Sequence, residues 1–85
     1  MNNYIHRIIL DESNEQDPRK IMVLVKGCPF PIHLDSWLVE ENEEHGEPAY
    51  FIVDYTVHRQ VRMAIRLQDV IVVKFYNRKR RYKDD

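Results

Sequence analysis

The chain is predicted to be a mainly β domain, a small antiparallel sheet of five to six strands. Residues 51–57 and 61–67 alternate between apolar and polar side chains, which is the period of a strand with one polar face. Residues 21–25 form a continuous apolar run rich in β-branched side chains, which is typical of a buried central strand. Together these three segments predict a β-rich fold.

The elements that flank the central strand are predicted from composition. Apolar residues between Ile5 and Leu10 indicate a first strand, and the polar, acidic segment 11–18 that follows indicates a solvated loop. The central strand should end before Pro29 and Pro31, because each proline removes a backbone donor from the sheet.

Residues 32–45 allow two interpretations. One is a strand whose hairpin loop is the acidic segment 42–48. The other is a short helix near 34–45, capped by Asp35 or Ser36 and ended by Gly46, which would make the fold α+β. Several glutamates would crowd the C-terminal half of such a helix against its dipole. We therefore favour the strand and keep the helix as the alternative.

The last strand is predicted over residues 70–76. Gln68 and Asp69 lack the signature of a tight hairpin turn and indicate a single 3-10-like turn between two strands at an angle. Small SH3-like and Sm-like barrels close in a similar way, so a barrel of that kind is an alternative to an open sheet. The resemblance is one of pattern and implies no function.

Length and composition limit the chain to one domain, which we place at residues 1–77, followed by a basic tail at 78–85. No apolar run is long enough to span a bilayer, and the first residues lack the pattern of a signal peptide. Cys28 is the single cysteine, so no internal disulfide forms. We expect a cytoplasmic protein that does not contact membranes.

The charge of the chain is strongly divided. Residues 1–57 carry 4 basic and 11 acidic side chains, a net charge of −7, and residues 58–85 carry 9 and 3, a net charge of +6. Such a division attracts partners of opposite charge to each end. The sequence does not tell whether the two regions bind separate molecules or each other.

No residue pattern predicts catalysis, a metal or a cofactor. The four histidines are not at zinc-ligand spacing, and His33 with Asp35 offers only two ligands on one strand face. Cys28 lacks the helix terminus that would activate a thiol. With two glycines in the chain, no phosphate-binding glycine loop is present. We expect a protein that is not an enzyme.

The acidic side chains are the first candidate contact surface. The hypothesis is a small non-catalytic protein-interaction module, a regulator or inhibitor that binds another protein. Compact, charge-divided chains of this size resemble, in type only, accessory proteins of phages and mobile elements, including anti-defence inhibitors. The acidic segments 11–17 and 40–47 would form the contact, and its candidate residues are Glu40, Glu41, Glu43, Glu44 and Tyr50.

The alternative hypothesis is a nucleic-acid-binding small β-barrel. Basic side chains of the C-terminal region would pair with phosphates, and tyrosines among them would stack on bases. Arg62 and Arg66 should point the same way on one strand and extend this surface. The candidate residues are Arg62, Arg66, Arg78, Lys79, Arg80, Arg81 and Lys83. A homodimer formed through an edge strand is a further possibility.

Overall fold

The computed structural model describes residues 3–77 and confirms a mainly β domain. One helix, α1 (Asn3–Ser13), precedes six strands. The strands are β1 (Ile21–Val25), β2 (Ile32–Leu34), β3 (Trp37–Glu44), β4 (Glu47–Tyr55), β5 (Val61–Arg66) and β6 (Val70–Phe75). The basic tail predicted at 78–85 lies outside the described residues.

Helix α1 lies where the apolar residues predicted a first strand, and that prediction is wrong. Ile5, Ile9 and Glu12 are four and three positions apart, so they share one helical face. Ile9 and Glu12 on this face are buried, whereas Arg7 and Asp11 are exposed. The segment forms a helix because its buried positions repeat about every 3.6 residues rather than every two.

The strands form two antiparallel three-stranded sheets. Their orders are β2-β1-β6 and β3-β4-β5. The short link 35–36 carries the chain from β2 into β3, and a 3-10 helix, Leu67–Asp69, carries it from β5 into β6. The predicted 3-10-like turn between the last two strands is therefore confirmed. The two sheets do not close into one barrel.

Residues 34–45 form no helix, so the favoured strand is confirmed and the helical alternative is wrong. The acidic segment 42–48, predicted as a loop, continues both strands of the β3–β4 hairpin. Only His45 and Gly46 lie in the turn, with φ of 52° and 79°. Two consecutive positive φ values are those of the tight primed turns that match the twist of paired strands.

One hydrophobic core lies between the sheets and α1. Ile9 of the helix, Ile21 and Val23 of β1, and Ile52 of β4 are fully buried. Other side chains of this core cluster are Leu34, Trp37, Ile65, Leu67 and Val70. No helix within residues 3–77 is long and apolar enough to cross a membrane.

Polar contacts fix α1 to the first strand of the second sheet. The carboxylate of Glu12 accepts hydrogen bonds from the backbone N–H and Nη2 of Arg19, at 2.8 and 2.9 Å. Trp37 Nε1 donates to the carbonyl oxygen of Arg19 at 2.7 Å. Ser13 Oγ accepts the backbone N–H of Val39 at 2.9 Å. These bonds orient β3 and thus the hairpin that it begins.

Candidate functional site

The acidic side chains predicted as a contact surface lie on the β3–β4 hairpin. Between Glu40 and Tyr50 no residue is buried, and most side chains are exposed. The core ends at the cross-strand pair of Val39 and Ile52. The part of the hairpin beyond this pair, residues 40–50, is called the distal hairpin below.

The distal hairpin divides its glutamates between the two faces of the sheet. Trp37 and Val39 face the core, and alternation places Glu41 and Glu43 on that same face. Glu40 and Glu44 therefore point to the opposite, outer face. The four glutamates predicted as one site form two pairs that point in opposite directions.

The two outer-face glutamates contact side chains of the same chain. Glu40 accepts a hydrogen bond from the hydroxyl of Tyr55. This hydrogen bond raises the pKa of Tyr55 above its usual value, because it stabilises the protonated phenol, and desolvation adds to the shift. Glu44 pairs with Arg66 at 2.5 Å, and the Arg66 guanidinium lies 5.9 Å from the centre of the Phe51 ring.

The outer face also carries an apolar patch between these polar pairs. Val53 is buried there outside the main core, and a shallow depression of about 260 Å³ is lined by Phe51, Val61 and Ala64 together with Glu40. The Tyr55–Glu40 and Arg66–Glu44 contacts border this patch. The outer-face glutamates thus take part in the packing of the sheet.

Glu41 and Glu43 differ from the two outer-face glutamates, because no ion pair joins either carboxylate to another residue of 3–77. Glu41 lies directly across from Tyr50, whose side chain is 41% exposed, and Glu43 lies across from Pro48. We call the surface formed by Glu41, Glu43 and Tyr50 the acidic face. It presents two carboxylates and one exposed aromatic ring side by side.

A groove of about 380 Å³ adjoins Tyr50 where β4 extends beyond the end of β5. His6 of α1, Glu47, Arg66 and Gln68 contribute to its walls. His6 Nε2 is buried without a hydrogen-bond partner among the described residues. The groove is open and mixed in charge, and it extends the acidic face toward the helix.

The arginines predicted to share a positive surface contact acids on opposite faces of the sheet. Arg62 donates to Asp54, which is on the core face and only 3% exposed. Arg66 contacts Glu44 on the outer face. The pairing of β4 with β5 shifts register between Asp54 and Tyr55, which changes the direction of Arg62 relative to the alternation. The other predicted nucleic-acid contacts, Arg78, Lys79, Arg80, Arg81 and Lys83, lie outside the described residues.

The remaining reactive side chains of the described part of the chain do not assemble into a site. Cys28 is half-buried, and its thiol contacts the carbonyl oxygen of Phe30 at 3.5 Å. The ring of His33 stacks on Tyr76 with 6.3 Å between ring centres. Across residues 3–77, no three potential metal-ligating side chains cluster together.

Sequence reasoning did not identify two of the polar contacts that shape this region. The Tyr55–Glu40 hydrogen bond joins residues that are not directly opposite, and the Asp54–Arg62 pair depends on the register shift. An aspartate directly after the apolar run 49–53 was the available signal for the second. Comparisons of the chain with protein-family models, curated proteins and solved structures find no match.

Proposed function

We propose that the protein is a small non-catalytic interaction module, a regulator or inhibitor that binds a basic surface of another protein through the acidic face. The observation that carries this proposal is that, within residues 3–77, neither Glu41 nor Glu43 forms an ion pair, whereas Glu44 pairs with Arg66 and Glu40 accepts a hydrogen bond from Tyr55. Carboxylates without a local counter-charge remain available to a partner.

The chemistry of the acidic face suits such a contact. Two carboxylates on a protruding strand attract a basic partner over about a Debye length, roughly 8–10 Å at physiological salt. Tyr50 lies beside them and supplies apolar area together with a hydroxyl, which is a common anchor in protein interfaces. Charge would accelerate the encounter, and the ring would contribute to the lifetime of the complex.

The proposal assigns different roles to the four hairpin glutamates. Glu41 and Glu43 contact the partner. Glu40 and Glu44 hold Tyr55 and Arg66 on the outer face and so keep the hairpin in shape. The acidic segment 11–17 is not included, because Glu12 is buried against Arg19.

The test is a binding comparison with matched charge changes. The tagged protein is used to capture partners, and the affinity of each purified partner is then measured for Glu41→Lys, Glu43→Lys and Asp35→Lys. Asp35 is exposed and lies outside the distal hairpin, so its variant alters net charge equally. We expect each hairpin variant to weaken binding about tenfold or more and Asp35→Lys to have little effect. Equal effects of all three variants would reject the acidic face.

Nucleic-acid binding is the second candidate, and it is supported by the basic sequence 78–83 with its interleaved tyrosine. Arg62 and Arg66 contribute little to this candidate, because both are paired with acids. A nucleic-acid site would therefore rest on the tail and would show strong salt dependence.

A further inference from the structure

Strand β6 forms one edge of the first sheet, and it is the least protected edge among the described residues. Its sequence, Val-Ile-Val-Val-Lys-Phe, contains one charged residue and neither proline nor glycine. Ile71 is 55% exposed and Val72 is 41% exposed. An apolar edge of this kind is a template for pairing with another strand.

The backbone geometry shows which groups of β6 are free to pair. Tyr76 N–H donates to the carbonyl oxygen of Lys20 at 3.0 Å, and Lys74 and Val72 continue the same register along β1. In an antiparallel pair, alternate residues direct their N–H and C=O groups to the neighbouring strand. The groups of Val73 and Phe75 therefore point away from β1, and no hydrogen bond from residues 3–77 reaches them.

The other edges carry features that prevent strand addition. On the outer edge of β3, Ser13 Oγ accepts the N–H of Val39, and Asn42 Oδ1 accepts the N–H of Glu43 at 2.8 Å. Pro48 lies in the part of β4 that extends past β5. Strand β2 has three residues and follows a proline, and β5 carries Arg62 and Arg66 together with a register shift in its pairing with β4. The pairing of β6 with β1 also contains a register shift, but that shift lies next to Val70 and leaves residues 72–75 in regular register. Bulges, prolines and capped donors are recognised means of protecting edges.

We propose that β6 is a self-association edge, and that two copies of this chain pair antiparallel through it about a two-fold axis at Val73. In this register the N–H and C=O of Val73 bond to those of Val73 in the second copy. The two first sheets then join into one six-stranded sheet, with β6 next to β6. This inference is independent of the acidic face, which lies on the other sheet.

Charge disfavours the neighbouring register centred on Lys74. Pairing centred on Val73 places Lys74 across from Val72 of the second copy, whereas pairing centred on Lys74 would oppose two ammonium groups, which destabilises a sheet. A parallel arrangement would bring the two ends of β6 that lead into the basic sequence 78–83 side by side. The antiparallel arrangement places these two strand ends at opposite ends of the contact.

A two-fold contact also closes, so it leaves no further copy to add through the same edge. Pairing of β6 with β5 of another copy would instead leave a free edge on each molecule, so it would build an open chain of copies. Strand β5 carries Arg62 and Arg66, and the sole charge of β6 is Lys74. Pairing of β6 with β6 centred on Val73 brings no arginine to the contact and sets each Lys74 across from Val72, so the pairing of like strands is favoured.

The first test is mass in solution. Sedimentation equilibrium of the full chain, diluted from about 1 mM to about 1 µM, should show conversion from a dimer of twice the 10.3 kDa chain mass to monomer. A monomer at every concentration would overturn the proposal. Assemblies larger than a dimer would overturn it as well, because they require a contact that does not close.

Charge substitutions on the exposed side of β6 test the register. Val72→Lys places a lysine across from Lys74 of the second copy at two symmetric positions, and we expect dimerisation about tenfold weaker. Val57→Lys adds the same charge at a position that is 92% exposed and outside β6, and it should leave the dimer unchanged. The double variant Val72→Lys with Lys74→Glu creates two attractive pairs and should restore dimerisation. Failure of this rescue would reject the pairing centred on Val73.

Disulfide trapping gives a readout that does not depend on affinity. Val72→Cys and Lys74→Cys are each made in a Cys28→Ser chain. Directly opposed Cα atoms in the non-hydrogen-bonded pair are about 4.5 Å apart, which suits a disulfide. A mixture of the two variants should form a covalent dimer with one chain of each kind, and each variant alone should not. Cross-linking within either variant alone would show a different register and contradict the proposal.

Discussion

Arg62 holds the buried carboxylate of Asp54 through a single oxygen. Its Nε and Nη2 atoms lie 2.9 and 2.8 Å from Asp54 Oδ2, while Oδ1 is buried with no hydrogen-bond partner among the described residues. The Asp54 side chain is 4% exposed, and that of Arg62 is 57% exposed. The aspartate therefore depends on the arginine far more than the arginine depends on the aspartate.

This asymmetry predicts that Arg62→Ala destabilises the fold. The substitution leaves a buried carboxylate without a counter-charge, and a buried charged group that loses its partner costs about 1–3 kcal/mol or more. The free energy of unfolding is measured by urea denaturation followed by tryptophan fluorescence, with Arg7→Ala, an exposed helical position, as the control.

The double variant Arg62→Ala with Asp54→Asn should recover part of this stability, because the asparagine carries no charge that needs neutralising. If Arg62→Ala is as stable as the parent chain, the carboxylate of Asp54 does not depend on Arg62. The same conclusion holds if the destabilisation of the double variant equals the sum of the destabilisations of the two single variants.

Trp37 provides a second prediction about the connection between helix and hairpin. The indole is 4% exposed and donates to the Arg19 carbonyl at 2.7 Å. Trp37→Phe retains an aromatic ring but leaves that carbonyl without its donor, so we expect a loss of about 1–3 kcal/mol. Chemical denaturation followed by circular dichroism measures it. Phe30→Leu, at a position 69% exposed, is the control and should change stability by less than about 0.5 kcal/mol.

The sequence predicted the strands best where alternation was regular and the core lay on one side. Segments 51–57 and 61–67 are examples, because strands β4 and β5 lie there. In the first segment the alternation did not predict the face, since Ile52 and Asp54 face the core and Val53 is buried on the outer face. It failed at Ile5–Leu10, where β-branched residues suggested a strand and the spacing of Ile5, Ile9 and Glu12 indicated a helix. In a short segment the two periods fit the same apolar residues, and the neighbours that α1 packs against decide between them.

The candidate site was harder to predict for a different reason. The acidic residues 40–47 were identified from composition, but their division into two faces requires the register of β3 against β4. Whether a glutamate is free depends on Tyr55 and Arg66, which are 15 and 22 residues away in sequence. A register shift of one residue reverses which side chains share a face, and local sequence does not encode it.

Tyr55 provides a prediction about pH. Its hydrogen bond to Glu40 raises its pKa in the folded state above the ordinary tyrosine value. A raised folded-state pKa means that the contact stabilises the fold at pH values below the unfolded pKa, and that this stability is lost as pH rises through the folded pKa. A pH titration followed by the absorbance of ionised tyrosine near 295 nm should show one tyrosine that ionises at a higher pH than the others. This transition should be missing in Tyr55→Phe, which assigns it to Tyr55.

The matched variant for this titration is Glu40→Gln, which removes the charged acceptor and keeps the size of the side chain. We expect the pKa of Tyr55 to return toward its ordinary value in this variant. An unchanged Tyr55 titration would show that Glu40 does not accept a hydrogen bond from the Tyr55 hydroxyl, and the two outer-face residues would then be independent of each other.

The last prediction separates the tail from the strand arginines in nucleic-acid binding. Arg66 already pairs with Glu44, so its guanidinium is not free to neutralise a phosphate. We expect Arg66→Gln to change the affinity for labelled single-stranded DNA or RNA by less than about twofold at low salt. Replacing Arg78, Lys79, Arg80 and Arg81 by glutamine should remove most of any binding and flatten its salt dependence, since each lost phosphate contact lowers the salt slope by about one.

A contribution of Arg66 on β5 to nucleic-acid binding would show as a loss of affinity in Arg66→Gln. A strong effect of Arg66→Gln would mean that nucleic acid displaces Glu44 from the guanidinium, and Glu44→Gln should then strengthen binding by freeing it. If no binding is detected at low salt, where electrostatic attraction is least screened, the tail does not bind nucleic acid. The acidic face would then remain as the surface through which this chain recognises its partner.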